Sequence, residues 1–376
     1  MKVWRIVRAL EAIAPPALAA DWDNVGLLVG DPSADARKLL LCVDLTEQAI
    51  LEAARVKAAM VMAYHPVMLK PLARLTPGAA PVVYAAARRG LAVYSMHTAL
   101  DAAPGGTNDV LADTLGLTDR RPLEPIVRQA QCKAVVFTPP DDLSRVADAA
   151  FAAGAGRIGD YSECAFFGHG IGTFLGGPST HPALGRSGRH EAAEELRLEV
   201  VVPKDKVAAV CDAIRAAHSY EEPAIDVYPL EEHPAGCGLG RIGRLKRPAT
   251  VKALIGRIKK ATGVKHLLLA CGARPPRGRK TGDGRGALVS TAACCAGSCG
   301  SVFRAAIAGG ATFYLTGEMR HHDALESAAA GMTVVCLGHS NSERIALSRL
   351  TRRLREALPK LAVSLCACDR DPFEVA

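Results

Sequence analysis

Four hydrophobic runs in this chain are followed closely by histidine, and three of those histidines have a carboxylate nearby. Met60-Val61-Met62 leads into Ala63-Tyr64-His65-Pro66. The run from Leu91 to Tyr94 leads into Ser95-Met96-His97, with Asp101 four residues on. The run from Thr312 to Leu315 is followed by Thr316-Gly317-Glu318 and His321-His322-Asp323, and the run from Thr333 to Leu337 by Gly338-His339 and Glu343. A spacing of four puts His339 and Glu343 on one face of a helix, where two side chains can ligate one ion. Imidazole with carboxylate and no thiolate suits Zn²⁺, Mn²⁺ or Fe²⁺. Each piece alone is weak; their recurrence at run ends is the signal.

The elements that must position these groups follow from periodicity. The first third alternates strand-like and helix-like runs: Leu39 to Val43, Met60 to Met62 and Leu91 to Tyr94 as buried strands, with a helix over Thr46 to Val56. The last third repeats the rhythm, with strands at 287–289, 312–315 and 333–337, helices at 302–307 and 322–330, and a long helix from Ser342 to Ala357. Such βαβ order predicts a mostly parallel sheet with helices on its faces, and ligands gather at the carboxyl ends of its strands. The middle reads βαββαβ: strands at 132–137, 172–175, 196–202 and 224–230, helices at 141–153 and 204–217. That is a ferredoxin-like order. The segments 121–125 and 231–234 read as linkers. The expected fold is therefore α/β, two lobes (1–127 and 234–376) around a mostly parallel sheet, with an inserted α+β domain over 128–233.

Composition bounds the class. The chain has 376 residues, 49% hydrophobic and 22% charged, which excludes disorder and collagen-like repeats. A net charge of +8 is mild for this length and does not demand nucleic acid. Twelve cysteines without a C-x-x-C pair, several in apolar runs, read mostly as reduced thiols of a cytoplasmic protein. Val3, Ile6, Val7, Leu10 and Ile13 fall at helical spacing before Pro15, so the N-terminal stretch reads as an amphipathic helix rather than a signal peptide. The longest uncharged stretch, 287–303, is too short to cross a bilayer. The arginines at 274, 277, 279 and 285, with Lys280, read as a solvated loop. Arg349, Arg352, Arg353 and Arg355 read as a solvated helix face, and Gly105-Gly106 as a turn required by backbone shape.

The segment Asp21-Trp22-Asp23-Asn24-Val25-Gly26-Leu27-Leu28-Val29-Gly30-Asp31 resembles the opening signature of the GTP cyclohydrolase 1 type 2 family, also described as Ngg-interacting-factor-like dinuclear-metal proteins. The resemblance continues through Tyr64-His65-Pro66, His97 to Asp109, Thr316 to His322 and Gly338 to Glu343. His218 to Ala224 and Asp226 to Leu230 resemble the PII-like insert of longer members. It spans nearly the whole chain. It implies a metal pair held at Tyr64, His65, Asp101, His339 and Glu343, with Asp101 as the bridge and one or two divalent ions per chain. Position 64 departs from the fullest pattern by being Tyr rather than His, and a neutral phenol is a poor ligand. His97 and His322 are then positioning or proton-transfer residues, with His97 and Glu343 able to shuttle protons. Cys294-Cys295-Ala296-Gly297-Ser298-Cys299-Gly300 falls where relatives have a Gly/Ser-rich turn.

The resemblance implies a metal-dependent hydrolase acting on a small molecule such as a nucleotide, with GTP as the named example, in a homohexameric ring. The alternative is a non-catalytic metal-binding adaptor or metal-handling protein regulated through the PII-like insert. No membrane and no nucleic acid are expected as partners.

Overall fold

The computed structural model describes residues 1–232, 235–272, 286–298 and 300–374. The basic residues between 274 and 285, His233 and Cys299 lie outside the described residues. The chain forms two compact units: Met1–Ile126 with Ala235–Ala376, and Val127–Pro234.

The larger unit carries two main sheets rather than one. In the first, strands Ala92–Ser95, Met60–Ala63, Lys38–Cys42 and Ala362–Leu365 lie parallel in that spatial order, and Gly26–Val29 adds an antiparallel edge. The central strands are buried on both faces, which is why they read as unbroken apolar runs. In the second sheet, Leu288–Ser298, Phe313–Glu318 and Thr333–Cys336 are parallel; Leu268–Ala270 on one side and Arg241–Thr250 with Leu117–Arg121 on the other are antiparallel.

Three local expectations are corrected. The stretch 121–125 is not a linker: Arg121 ends an edge strand, and Glu124–Pro125 pairs with Gly238–Leu239. Glu231 and Glu232 close the strand Ile225–Glu232. The Cys294 segment is not a turn up to Ser298, because the strand Leu288–Ser298 runs through it. Small residues fit there because both faces of the strand are packed, with Cys294 in one apolar cluster and Cys295 in another. Alternation thus separates these two thiols across the sheet.

The helix His339–Ala357 positions half the site. Ala346, Leu347, Leu350 and Leu354 form its buried stripe, and it contacts both sheets. Its arginines are not uniformly solvated. Arg349 pairs with Asp113, Arg355 donates to the Val363 carbonyl at 2.7 Å, and the Nη1 of Arg353 is buried without a hydrogen bond. The N-terminal helix Val3–Ile13 buries Val3, Ile6, Leu10 and Ile13 in the core. No described helix is long and apolar enough to cross a membrane.

The smaller unit is a four-stranded antiparallel sheet with spatial order Ile225–Glu232, Arg128–Thr138, His190–Pro203, Ala165–Leu175. Helices Leu143–Ala152 and Val207–Ala217 join its strands and pack on one face, burying Val146, Ala150, Val210 and Ile214. Numbered along the unit, the strand order is 4-1-3-2, the ferredoxin-like order.

Candidate metal centre

The strand ends converge as the sequence pattern requires. His65 follows the parallel strand Met60–Ala63, His97 follows Ala92–Ser95, and His339 with Glu343 opens the helix after Thr333–Cys336. Ligating atoms of His65, His339 and Glu343 all lie within 4.8 Å of one another. The Nε2 of His65 is 3.2 Å from Glu343 Oε2, and the Nε2 of His339 is 3.3 Å from Glu343 Oε1.

Each imidazole is fixed from behind. His65 Nδ1 lies 2.8 Å from Asp44 Oδ1, His339 Nδ1 lies 2.9 Å from Glu318 Oε1, and His97 Nδ1 lies 2.8 Å from Asp23 Oδ1. A carboxylate on Nδ1 sets the tautomer that leaves Nε2 free to ligate. The ring of His65 stands 5.3 Å from that of His97 and 5.4 Å from that of His339. His97 adopts φ +28°, a strained value for a non-glycine residue, held by its backbone N–H on the Tyr64 carbonyl and by Asp23. Asp23 also accepts from the Thr98 backbone N–H at 3.1 Å.

The charges match a cation site. Glu343 is 2% exposed. Burial opposes its charge, yet His339 and His65 hold its carboxyl below the ordinary value. Burial also works against the proton on His65, but Asp44 and Glu343 outweigh it and push the pKa up to about 10. Glu343 is the main cause that raises His339 to about 9. Oε2 of Glu343 is buried and makes no hydrogen bond. A buried carboxylate oxygen without a hydrogen bond is costly, and this one lies 3.2 Å from His65 Nε2 while its partner oxygen faces His339. Nitrogen and carboxylate donors so arranged fit a divalent ion.

Gly297, φ +62°, closes the other side. A Cβ there would lie 2.8 Å from Glu343 Oε1 and 3.5 Å from His339 Nε2. Its N–H donates to Ser342 Oγ at 2.8 Å. The Gly105-Gly106 turn is equally constrained, since a Cβ on Gly106 would fall 1.9 Å from the Leu100 carbonyl.

Asp101 and Tyr64 stand beside this triad rather than within it. The Tyr64 hydroxyl donates to Asp101 Oδ1 and lies 2.9 Å from Thr107 Oγ1. Tyr64 is fully buried, and burial together with Asp101 drives its pKa well above the ordinary value, so it keeps its proton. Burial, then the charge of Glu343, raises Asp101 to about 6. His322 is exposed at the start of the helix His321–Ala329, where it meets the ring of His321 and not the triad. Sequence reasoning missed the roles of Asp44, Asp23, Glu318 and Gly297. Asp44 lies just past the strand Lys38–Cys42, at the same sheet edge as His65, and that position was its available signal.

Residues 1–372 match the family Duf34/NIF3 (NGG1p interacting factor 3). A protein of Mycobacterium tuberculosis named GTP cyclohydrolase 1 type 2 homolog is 34% identical over 381 residues, covering 98% of this chain and 96% of that protein. The crystal structure of a Bacillus cereus protein related to NIF3 superposes with TM-score 0.67 at 30% identity, covering 100% of this chain and 99% of the other. A Staphylococcus aureus structure gives TM-score 0.80 at 22% identity, 100% and 99% covered, and shares the fold.

Proposed function

Because this chain belongs to the Duf34/NIF3 family, we propose that it is a metal-dependent hydrolase of a small molecule, of the kind named by GTP cyclohydrolase 1 type 2. One observation carries the reading: the buried Glu343 carboxylate faces two imidazoles, Oε2 toward His65 Nε2 and Oε1 toward His339 Nε2, and the far nitrogens of both rings are braced by carboxylates. His65, His339 and Glu343 would hold a divalent ion, Zn²⁺, Mn²⁺ or Fe²⁺, with Asp101 beside them for a second position. Such an ion supplies Lewis acidity and makes a water acidic near neutral pH.

The chain's own residues do the rest. Asp101, held by the Tyr64 hydroxyl beside the triad, would be placed to accept a proton where it is not itself ligating an ion. The Tyr64 hydroxyl fixes which Asp101 oxygen is taken up. His97, held by Asp23, directs its Nε2 toward the same space and is placed to relay a proton outward. For a purine nucleotide the reaction would be opening of the imidazole ring with loss of formate. Assembly as a homohexamer and a cytoplasmic location belong to the same proposal; sedimentation would show six chains.

The test is formate release from GTP by the metal-loaded protein, abolished in Asp101→Ala. No turnover with any of Zn²⁺, Mn²⁺ and Fe²⁺ would reject hydrolysis of GTP.

A second reading, a non-catalytic adaptor governed by a PII-like insert, has its own support. Tyr64 withholds a ligand from a second ion, and the inserted unit has a cleft of about 490 Å³ lined by Phe137, Phe174, Leu184, Glu195 and Tyr220. Tight metal binding without turnover would favour it.

A further inference from the structure

A second convergence of ligating groups lies on the other face of the N-terminal sheet. Leu39, Leu41, Val43 and Tyr64 pack against the helix that bears Glu343, whereas Leu40, Cys42, Val61 and Ala63 pack with the helices Glu47–Arg55 and Pro81–Arg88, and Cys366 joins this second group. Directly after the parallel strand Ala362–Leu365 the chain reads Cys366-Ala367-Cys368. The two Sγ atoms are 3.3 Å apart. Glu52, on the facing helix, reaches both residues. Its Oε2 accepts from Cys366 Sγ at 3.3 Å and from the Cys368 backbone N–H at 3.0 Å, and its Oε1 accepts from the Ala367 N–H at 2.9 Å. Ligating atoms of all three lie within 4.8 Å of one another. Glu52 and Cys366 are buried, and Cys368 is half-buried, which leaves a way in.

We propose that Cys366, Cys368 and Glu52 form a metal site for a thiophilic divalent cation of the Zn²⁺ class, separate from the histidine cluster. Two thiolates at about 2.3 Å from a tetrahedral Zn²⁺ stand about 3.8 Å apart. The pair therefore has to open by only about half an ångström. A disulfide needs the sulfurs to close to about 2.05 Å, a larger movement. The thiol protons lie on the Cys366–Glu52 and Cys366–Cys368 lines, where an ion would sit, and binding releases both. Ala367 and Cys368 N–H groups hold the carboxylate in place, so one ligand is ordered before the ion arrives. Two thiolates and a carboxylate carry three negative charges; a divalent ion and Arg55, whose Nη2 is 4.0 Å from Glu52 Oε1, balance them. The carboxylate oxygen favours Zn²⁺ over Cu⁺, which prefers sulfur alone. Three protein ligands would leave a fourth position for water or another small ligand.

The test is titration of the full-length, reduced protein with Co²⁺. Near-ultraviolet thiolate-to-cobalt charge-transfer absorption is expected to appear, to saturate with one thiolate-bound Co²⁺ per chain, and to disappear on adding excess Zn²⁺. It should persist in His65→Ala, which affects only the histidine cluster, and vanish in the Cys366→Ser/Cys368→Ser double variant. Cys368→Ser alone, at the half-buried position, should weaken Co²⁺ binding at least about tenfold with an unchanged far-ultraviolet circular dichroism spectrum. Absence of the band in the reduced protein, its survival in the double variant, or a Cys366–Cys368 disulfide that persists in excess thiol reductant would each overturn the proposal.

Discussion

Gly297 faces Glu343 so closely that a single added methyl group would lie 2.8 Å from the carboxylate Oε1. Gly297→Ala is therefore expected to displace Glu343 or the strand end, and the φ of +62° adds strain. Metal affinity at the histidine cluster should fall at least about tenfold. Isothermal titration with Mn²⁺, which disfavours the thiol site, would read it. Wild-type affinity in this variant would show that the glycine is not needed for the site.

Asp109 and Arg241 form a deeply buried ion pair in the larger unit. Arg241 is 2% exposed; its Nε and Nη2 lie 3.1 and 3.0 Å from the Asp109 oxygens, and its other donors reach the carbonyls of Gly236, Gly238 and Gly240. Removing one partner leaves a buried charge. Asp109→Ala should cost about 3–5 kcal/mol, visible as a lower urea midpoint. A loss below about 1 kcal/mol would mean that the guanidinium finds water.

Without metal, stability should fall as pH rises from 6.5 toward 9 and 10. His65 and His339 have folded pKa values of about 10 and 9 against an ordinary 6.5, so the folded state holds protons that the unfolded state has released across that window. Their contribution is complete below 6.5 and is lost above 9–10. Divalent metal should reverse the slope, because binding requires both imidazoles neutral. Thermal melts at pH 6.5, 8 and 9.5, with and without Mn²⁺, measure both signs; a flat metal-free series would contradict the assignment.

Tyr64→His would place an imidazole where the phenol now keeps its proton. Metal counting by mass spectrometry, in the Cys366→Ser/Cys368→Ser background so that only the histidine cluster is read, should rise from one ion per chain to two. An unchanged count would place the limit elsewhere than at Tyr64.

How much of this was legible depended on the range of the signal. His65, His339 and Glu343 stood out because run ends and an i, i+4 spacing are local patterns. Asp44 and Glu318 did not, because their role rests on meeting a ring nitrogen 21 residues away in each case. The strand read at 287–289 runs on to Ser298, through the segment from Cys294 that reads as a Gly/Ser-rich turn by resemblance to relatives, since local composition does not reveal that both faces are packed. The two thiols are two residues apart in sequence, but their carboxylate is 314 residues upstream of Cys366. The family resemblance covered the chain, and the structure belongs to that family's fold.

The strand Ala362–Leu365 lies beside Lys38–Cys42, the first parallel strand of the chain. A ribosome adding about 5–20 residues per second takes roughly 15–60 s to travel between them. For that interval the Lys38–Cys42 edge has no neighbour on that side, and its unpaired N–H and C=O groups are open to any passing strand. Until residues 362–365 arrive the amino-terminal sheet lacks one edge strand, and chains that stall before them should be the ones that chaperones and proteases collect.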